Sequence, residues 1–137
     1  MIEHSRGGAL AWLDRRAAER MLGTSLPAGA RDLHYLRWQP SGDLAYYEGI
    51  IRFDCSKDDY LAFARARGMT LLSESGANVH LPASWEPAPD MRNPAWWQPT
   101  GETPPDAASG LVGSDGSLIT KWESGHTYVM VTDTGHR

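Results

Sequence analysis

Between residues 82 and 105 the chain carries seven prolines: Pro82, Pro87, Pro89, Pro94, Pro99, Pro104 and Pro105. Each one removes a backbone donor and fixes φ near about −65°, so neither a helix nor a central strand can run through the segment. Structureless connections longer than about 12–15 residues are uncommon in compact domains unless they are functional or disordered. Disorder fits poorly, because Trp85, Trp96 and Trp97 lie in the segment and indole rings seek burial. The expectation is an ordered, proline-stiffened loop laid across the domain and pinned by its tryptophans.

On either side of this loop the patterns are regular. Residues 8–22 place Leu10, Leu13, Ala17 and Met21 at steps of three and four, which predicts a helix docking on that face, with Gly23 ending it in a left-handed conformation. After the connector around Leu26 and Pro27, residues 32–39 and 44–54 read as an antiparallel hairpin, joined by turn chemistry at Pro40, Ser41, Gly42 and Asp43. Ala45, Tyr47, Gly49, Ile51 and Phe53 share its core face, while Tyr46, Glu48, Ile50, Arg52 and Asp54 share the other. Residues 56–67 form the clearest helix, with Ser56 as N-cap, Asp58 and Asp59 in the first turn and Gly68 as the stop. Residues 69–72 could be a short strand. Beyond the loop, residues 111–113 read as a short extended piece ending in an Asp115-Gly116 hairpin signal. Residues 118–123 and 127–132 then pair across Ser124 and Gly125, with Val129 and Val131 facing one way and Tyr128 and Met130 the other.

The simplest assembly is an α+β fold: an antiparallel sheet with an N-terminal helix and a second helix packed on one face, plus the long Pro/Trp-rich ordered loop. Its 137 residues are enough for one domain with a core that needs no metal or disulfide. Within that single domain, 1–25 hold the N-terminal helix, 26–72 the hairpin and second helix, 73–108 the loop, and 109–137 the C-terminal strands. Cys55 is the only cysteine, which rules out an internal disulfide and suits a reducing compartment. No apolar run is long enough for a signal peptide or a membrane span, so a cytoplasmic setting is expected.

Charge narrows the partners. The net charge is −4, split into +2 over residues 1–37 and −6 over the rest. No basic patch suited to phosphates is visible, so nucleic acid is not an expected partner. The acids at 54, 58 and 59 lack the spacing of a calcium loop and read as helix caps. The five histidines show no i, i+4 metal spacing and no accompanying cysteines, and only convergence of His34, His80 and His126 in space could build a site. Asp133-Thr134-Gly135 follows an apolar run in the manner of an aspartic-protease triplet, but a turn ending the last strand explains it better. There is no nucleophile elbow, no dinucleotide fingerprint and no Walker lysine. Neither a catalytic residue, a cofactor nor a metal is therefore expected.

What remains is the tryptophan content. Trp85, Trp96, Trp97 and Trp122 are the candidate binding residues. Neighbours in an extended segment point in opposite directions, so one of Trp96 and Trp97 should be partly exposed, as contact hot spots are. Packing, protein contact, and a small ligand or glycan stacked on an indole all stay open for these rings. The order of Leu26-Pro27 with Ala30, the hairpin, Trp96-Trp97-Gln98-Pro99 and a Tyr128-bearing last strand resembles small uncharacterised bacterial proteins with an L-P-x-x-A and W-W-x-P layout. Some of those are lipoproteins, whose signal and lipobox cysteine this chain lacks, and others look like immunity proteins. The resemblance carries no assigned activity. It implies a non-catalytic module that binds another protein through the loop, with a Trp-lined small-molecule or glycan pocket as the alternative. On overall charge, a basic partner would be steered in.

Overall fold

The computed structural model describes residues 2–40, 46–75, 80–88 and 91–134. The turn expected around Ser41, Gly42 and Asp43, the face assignment of Ala45, and Gly135 of the Asp-Thr-Gly triplet lie outside the described residues.

Among the described residues, seven strands form one antiparallel sheet. They are β1 (Ile2–His4), β2 (Arg31–Trp38), β3 (Tyr47–Asp54), β4 (Thr70–Leu71), β5 (Ala108–Val112), β6 (Gly116–Glu123) and β7 (His126–Asp133), in the order β1-β2-β3-β7-β6-β5-β4. The N-terminal hairpin and the C-terminal meander meet at the centre, where β3 and β7 pair without a shift from Tyr47 opposite Asp133 to Asp54 opposite His126. The β6–β7 turn is tight because Ser124 and Gly125 both take positive φ, at 50° and 89°, the twist that two-residue hairpins need. Gly116 proves to be a strand residue rather than a turn residue. A Cβ there would lie 2.4 Å from the Thr132 carbonyl oxygen, so no other residue fits between the neighbouring strands.

Helix α1 (Ala11–Leu22) follows a 3-10 turn at Gly8–Leu10 and ends at Gly23, whose φ is 72°. Its inward face is the expected one at Ala17 and Met21 but is rotated away from Leu10 and Leu13. Asp14, Ala18, Met21 and Leu22 are buried, whereas Leu10 and Leu13 are exposed. The rotation has a polar cause. Asp14 accepts hydrogen bonds from the backbone N–H of Arg6 and of Gly7, at 2.7–3.1 Å, so its carboxylate turns in to hold the chain that precedes the helix. Helix α2 (Lys57–Ala66) is capped by Ser56, whose Oγ accepts from the Asp59 N–H, and it buries Tyr60, Phe63 and Ala64. These join Ala18, Met21 and Leu22 in one apolar cluster with Ile51, Phe53, Val129 and Val131 of the sheet.

The opposite sheet face is not left open. Ile50 and Tyr128 are buried there beneath Leu81, Trp85 and Trp97, with Leu36, Ile119 and Met130 beside them. The proline-rich segment therefore does the work of a second covering layer. Within the span 73–108, residues 73–75 belong to α3 (Leu72–Ser75) and Ala108 opens β5.

Candidate functional site

The loop is fixed by a turn. The Trp97 N–H donates to the Pro94 carbonyl at 3.0 Å, so this stretch is not extended, and Trp96 and Trp97 do not point in opposite directions. Both rings reach the same sheet face. Trp97 is fully buried and meets Tyr128 edge-on at 5.3 Å, while the half-buried Trp96 stacks on His34 at 5.4 Å. Asn93 ties the loop to itself, since its Oδ1 accepts from the Trp85 N–H and its Nδ2 donates to the Trp97 carbonyl, each at 2.9 Å. Trp85 is also buried, at 4% exposure. Of the four candidate binding tryptophans, Trp85 and Trp97 thus have no surface to offer a partner, and only Trp96 and Trp122 are partly open.

Beside Trp96 the strand register assembles a polar row. His34 of β2 lies opposite Arg52 of β3, and Arg52 lies opposite Tyr128 of β7. Asp32 reaches this row because a bulge shifts the register between Arg31 and His34, and Asp32 takes a φ of 51°. Arg52 donates to the Trp96 carbonyl at 3.1 Å and to Asp32 at 3.2 Å, and its Nε stands 3.5 Å from Asp54. Each carboxylate holds one imidazole: Asp32 with His34 at 3.0 Å, Asp54 with His126 at 2.6 Å. Paired His and Asp groups can orient a general base. Among the described residues, however, neither imidazole is hydrogen-bonded to a Ser, Thr or Cys side chain. His34 and His126 do share a face, with Arg52 between them, whereas the exposed His80 makes no hydrogen bond or ring contact with either. No group of three or more His, Cys, Asp or Glu among the described residues could hold a metal ion. Cys55 is buried beside the Thr127 hydroxyl, and burial raises its pKa, which keeps it a neutral thiol.

The far end of the loop is clamped by charge. Lys121 is 2% exposed and donates to the carbonyls of Thr100 and Glu102 at 2.6 and 2.7 Å, while also pairing with Glu123. Glu123 accepts from the Thr100 N–H and hydroxyl as well. Burial pushes the Glu123 carboxyl up, but the Lys121 and Thr100 hydrogen bonds outweigh it and hold the group below the usual carboxylate range.

Two outward-facing features stand apart from the loop. One is a groove of about 650 Å³ lined by Lys57, Thr103, Asp106, Trp122 and Ser124, among others. The second is the outer side of α1, where Leu10, Trp12 and Leu13 are 37%, 58% and 38% exposed. Arg6, Arg16 and Arg20 line a shallow groove with Leu13, and among the described residues no ion pair engages their side chains. The nearby acids are already committed: Asp14 to backbone N–H groups, Glu19 to Arg15 and the Leu26 N–H, Glu3 to the Tyr35 hydroxyl. Sequence reasoning missed this face by assigning Leu10 and Leu13 to the core. The signal available was Trp12, which falls off that stripe in any helical projection.

The fold and its surfaces define a mixed α+β protein, mostly antiparallel sheet, with one apolar cluster that includes residues of α1 and another closed by the tryptophan loop. No family model, no curated protein and no solved structure matches the chain. No helix among the described residues is long and apolar enough to cross a membrane.

Proposed function

We propose that this chain is a non-catalytic protein-binding module of the immunity or accessory kind, acting in the cytoplasm, and that its contact surface is the outer side of α1. The observation that carries the proposal is the exposed trio Leu10, Trp12 and Leu13, flanked by Arg6, Arg16 and Arg20, which make no ion pair among the described residues. Trp and Arg dominate interface hot spots, because they bring large area and directed hydrogen bonds to a desolvated centre. The local charge inverts the expectation drawn from the whole chain. Although the protein is acidic overall, the groove beside Leu13 holds Arg6, Arg16 and Arg20 against Glu3 and Asp14, an excess of positive charge that an acidic partner surface complements. Trp122 of β6 lines a groove that shares no residue with α1 and serves as the control position.

The test is a photo-crosslinking residue at position 13, identification of the captured protein, and titration of the purified pair. Trp12→Ala should weaken binding by about 2 kcal/mol or more, and added salt should weaken it further. Trp122→Phe should leave affinity unchanged. The proposal fails if the partner's contact face is not acidic, or if Trp12→Ala binds as wild type does. It fails equally if crosslinking captures nothing and the protein instead sediments with anionic vesicles.

A further inference from the structure

The groove beside Trp122 has the chemistry of a saccharide site, and we propose that it binds a neutral oligosaccharide. At about 650 Å³ it falls within the range of roughly 300–1,000 Å³ typical of small-molecule sites. Trp122 forms a fixed platform in its wall. The indole Nε1 donates to the Cys55 carbonyl at 3.0 Å, which sets the ring's orientation, and the Lys57 ammonium lies 6.0 Å from the ring centroid. A rigid indole offers its face to the C–H side of a pyranose ring while its polar edge stays satisfied by protein.

Hydrogen-bonding groups surround that platform. Lys57 pairs with Asp106 Oδ2 at 3.2 Å, while Asp106 Oδ1 is buried without a hydrogen-bond donor from the chain. A buried carboxylate oxygen that lacks a donor is costly, and rotation of this carboxylate, whose side chain is 17% exposed in the groove lining, brings it to a ligand hydroxyl that supplies one. The Asp106 backbone is anchored as well, because its carbonyl accepts from the buried Tyr60 hydroxyl at 2.6 Å. Thr103 and Ser124 add hydroxyls that both donate and accept.

Charge decides between ligand classes. The groove holds three carboxylates, which by number alone would suggest a polyamine. Two of them are already neutralised, Glu123 by Lys121 and Asp106 by Lys57, leaving Glu102 as the one acid in the lining without an ion pair. A flat apolar ring face with hydroxyls around its rim meets the indole, the ammonium and the Asp106 oxygen together, whereas a polyamine would be repelled by Lys57.

The test uses cellotriose, chitotriose, maltotriose and mannotriose as probes, with spermidine and a sulfated disaccharide as charged controls. Binding is read by saturation-transfer NMR and by calorimetry on the full chain. At least one neutral trisaccharide should bind, transferring saturation chiefly to its C–H protons. Asp106→Asn and Lys57→Met should each weaken it by about tenfold. Trp122→Phe should weaken it further, with thermal unfolding showing that each variant is folded. Lys57→Met is the safeguard, since Lys57 is exposed at the groove rim and its loss leaves the core intact. The α1 variant Trp12→Ala should bind the sugar as wild type does, which separates this site from the protein contact. The proposal is overturned if no neutral trisaccharide binds, if a charged control binds better, or if folded Lys57→Met and Asp106→Asn bind unchanged.

Discussion

Replacing Lys121 with methionine tests whether the loop is held by charge or merely by its apolar rings. Met preserves the stem that fills the space at this 2%-exposed position, so the change removes the ammonium and little else. Three acceptors then lose their donor: the carbonyls of Thr100 and Glu102, and the Glu123 carboxylate, whose side chain is 17% exposed. Removing one member of a buried pair costs about 3–5 kcal/mol, because the partner remains as an uncompensated charge. Thr100 still donates twice to Glu123, which places the expected loss at the lower end, about 3 kcal/mol.

The assay is urea unfolding followed by tryptophan fluorescence, in which the midpoint should fall while the slope is preserved. Lys121→Met with Glu123→Gln should be less harmful than the sum of the two single changes, since the orphaned charge is gone. Acidity gives an independent check. The Glu123 carboxyl is held below its ordinary range in the folded protein, so its contribution is present above the unfolded pKa of about 4.5 and is lost as pH falls through the folded value. In Lys121→Met the lone buried carboxylate is instead relieved by protonation. The gap between wild type and variant should therefore narrow on acidification. A loss under about 1 kcal/mol, or a gap that widens in acid, would refute the clamp.

Two further outcomes follow from the same geometry. Gly116→Ala should cost about 2–3 kcal/mol, because the new Cβ would lie 2.4 and 2.5 Å from the Thr132 and Val112 carbonyl oxygens. Gly125→Ala, at a φ of 89° with nothing near, should cost only about 1 kcal/mol, and thermal unfolding of the two variants gives the order. Burial and the hydrogen bond to Glu3 push the Tyr35 hydroxyl up to about 12. This raised pKa contributes stability in full below the unfolded value of about 10, and the contribution is lost as pH rises toward 12. Glu3→Gln should bring the phenolate absorbance of Tyr35 in at lower pH; an unchanged alkaline titration would show that Glu3 has no influence.

The sheet was legible where side-chain alternation was regular and caps were explicit. Residues 47–53 and 127–131 alternate because β3 and β7 lie at the sheet centre with each face against a different layer, and Ser56 and Gly68 bracket α2 as their chemistry requires. Strand β1 was not legible, since Ile2, Glu3 and His4 are all exposed at an edge and leave no burial pattern. The docking face of α1 misled for a related reason. Its orientation is set by Asp14 binding two upstream N–H groups, a polar contact that hydrophobic periodicity cannot register.

The loop shows how a correct composition can still give the wrong surface. The rule that neighbours diverge holds for extended chain, but Asn93-Pro94 starts a turn, and the turn carries Trp96 and Trp97 to one side. A physical need stands behind this. Residues Leu36, Ile50, Ile119, Tyr128 and Met130 make an apolar face on the sheet side away from the core helices, and that face must be covered. A proline-rich segment has no repeating apolar stripe with which to cover it, so the area comes from a few large rings. The tryptophans of the loop are therefore turned inward for the same reason that they are numerous. Apart from the half-buried Trp96, the tryptophans that carry the two proposed sites are held by regular elements, Trp12 on α1 and Trp122 on β6.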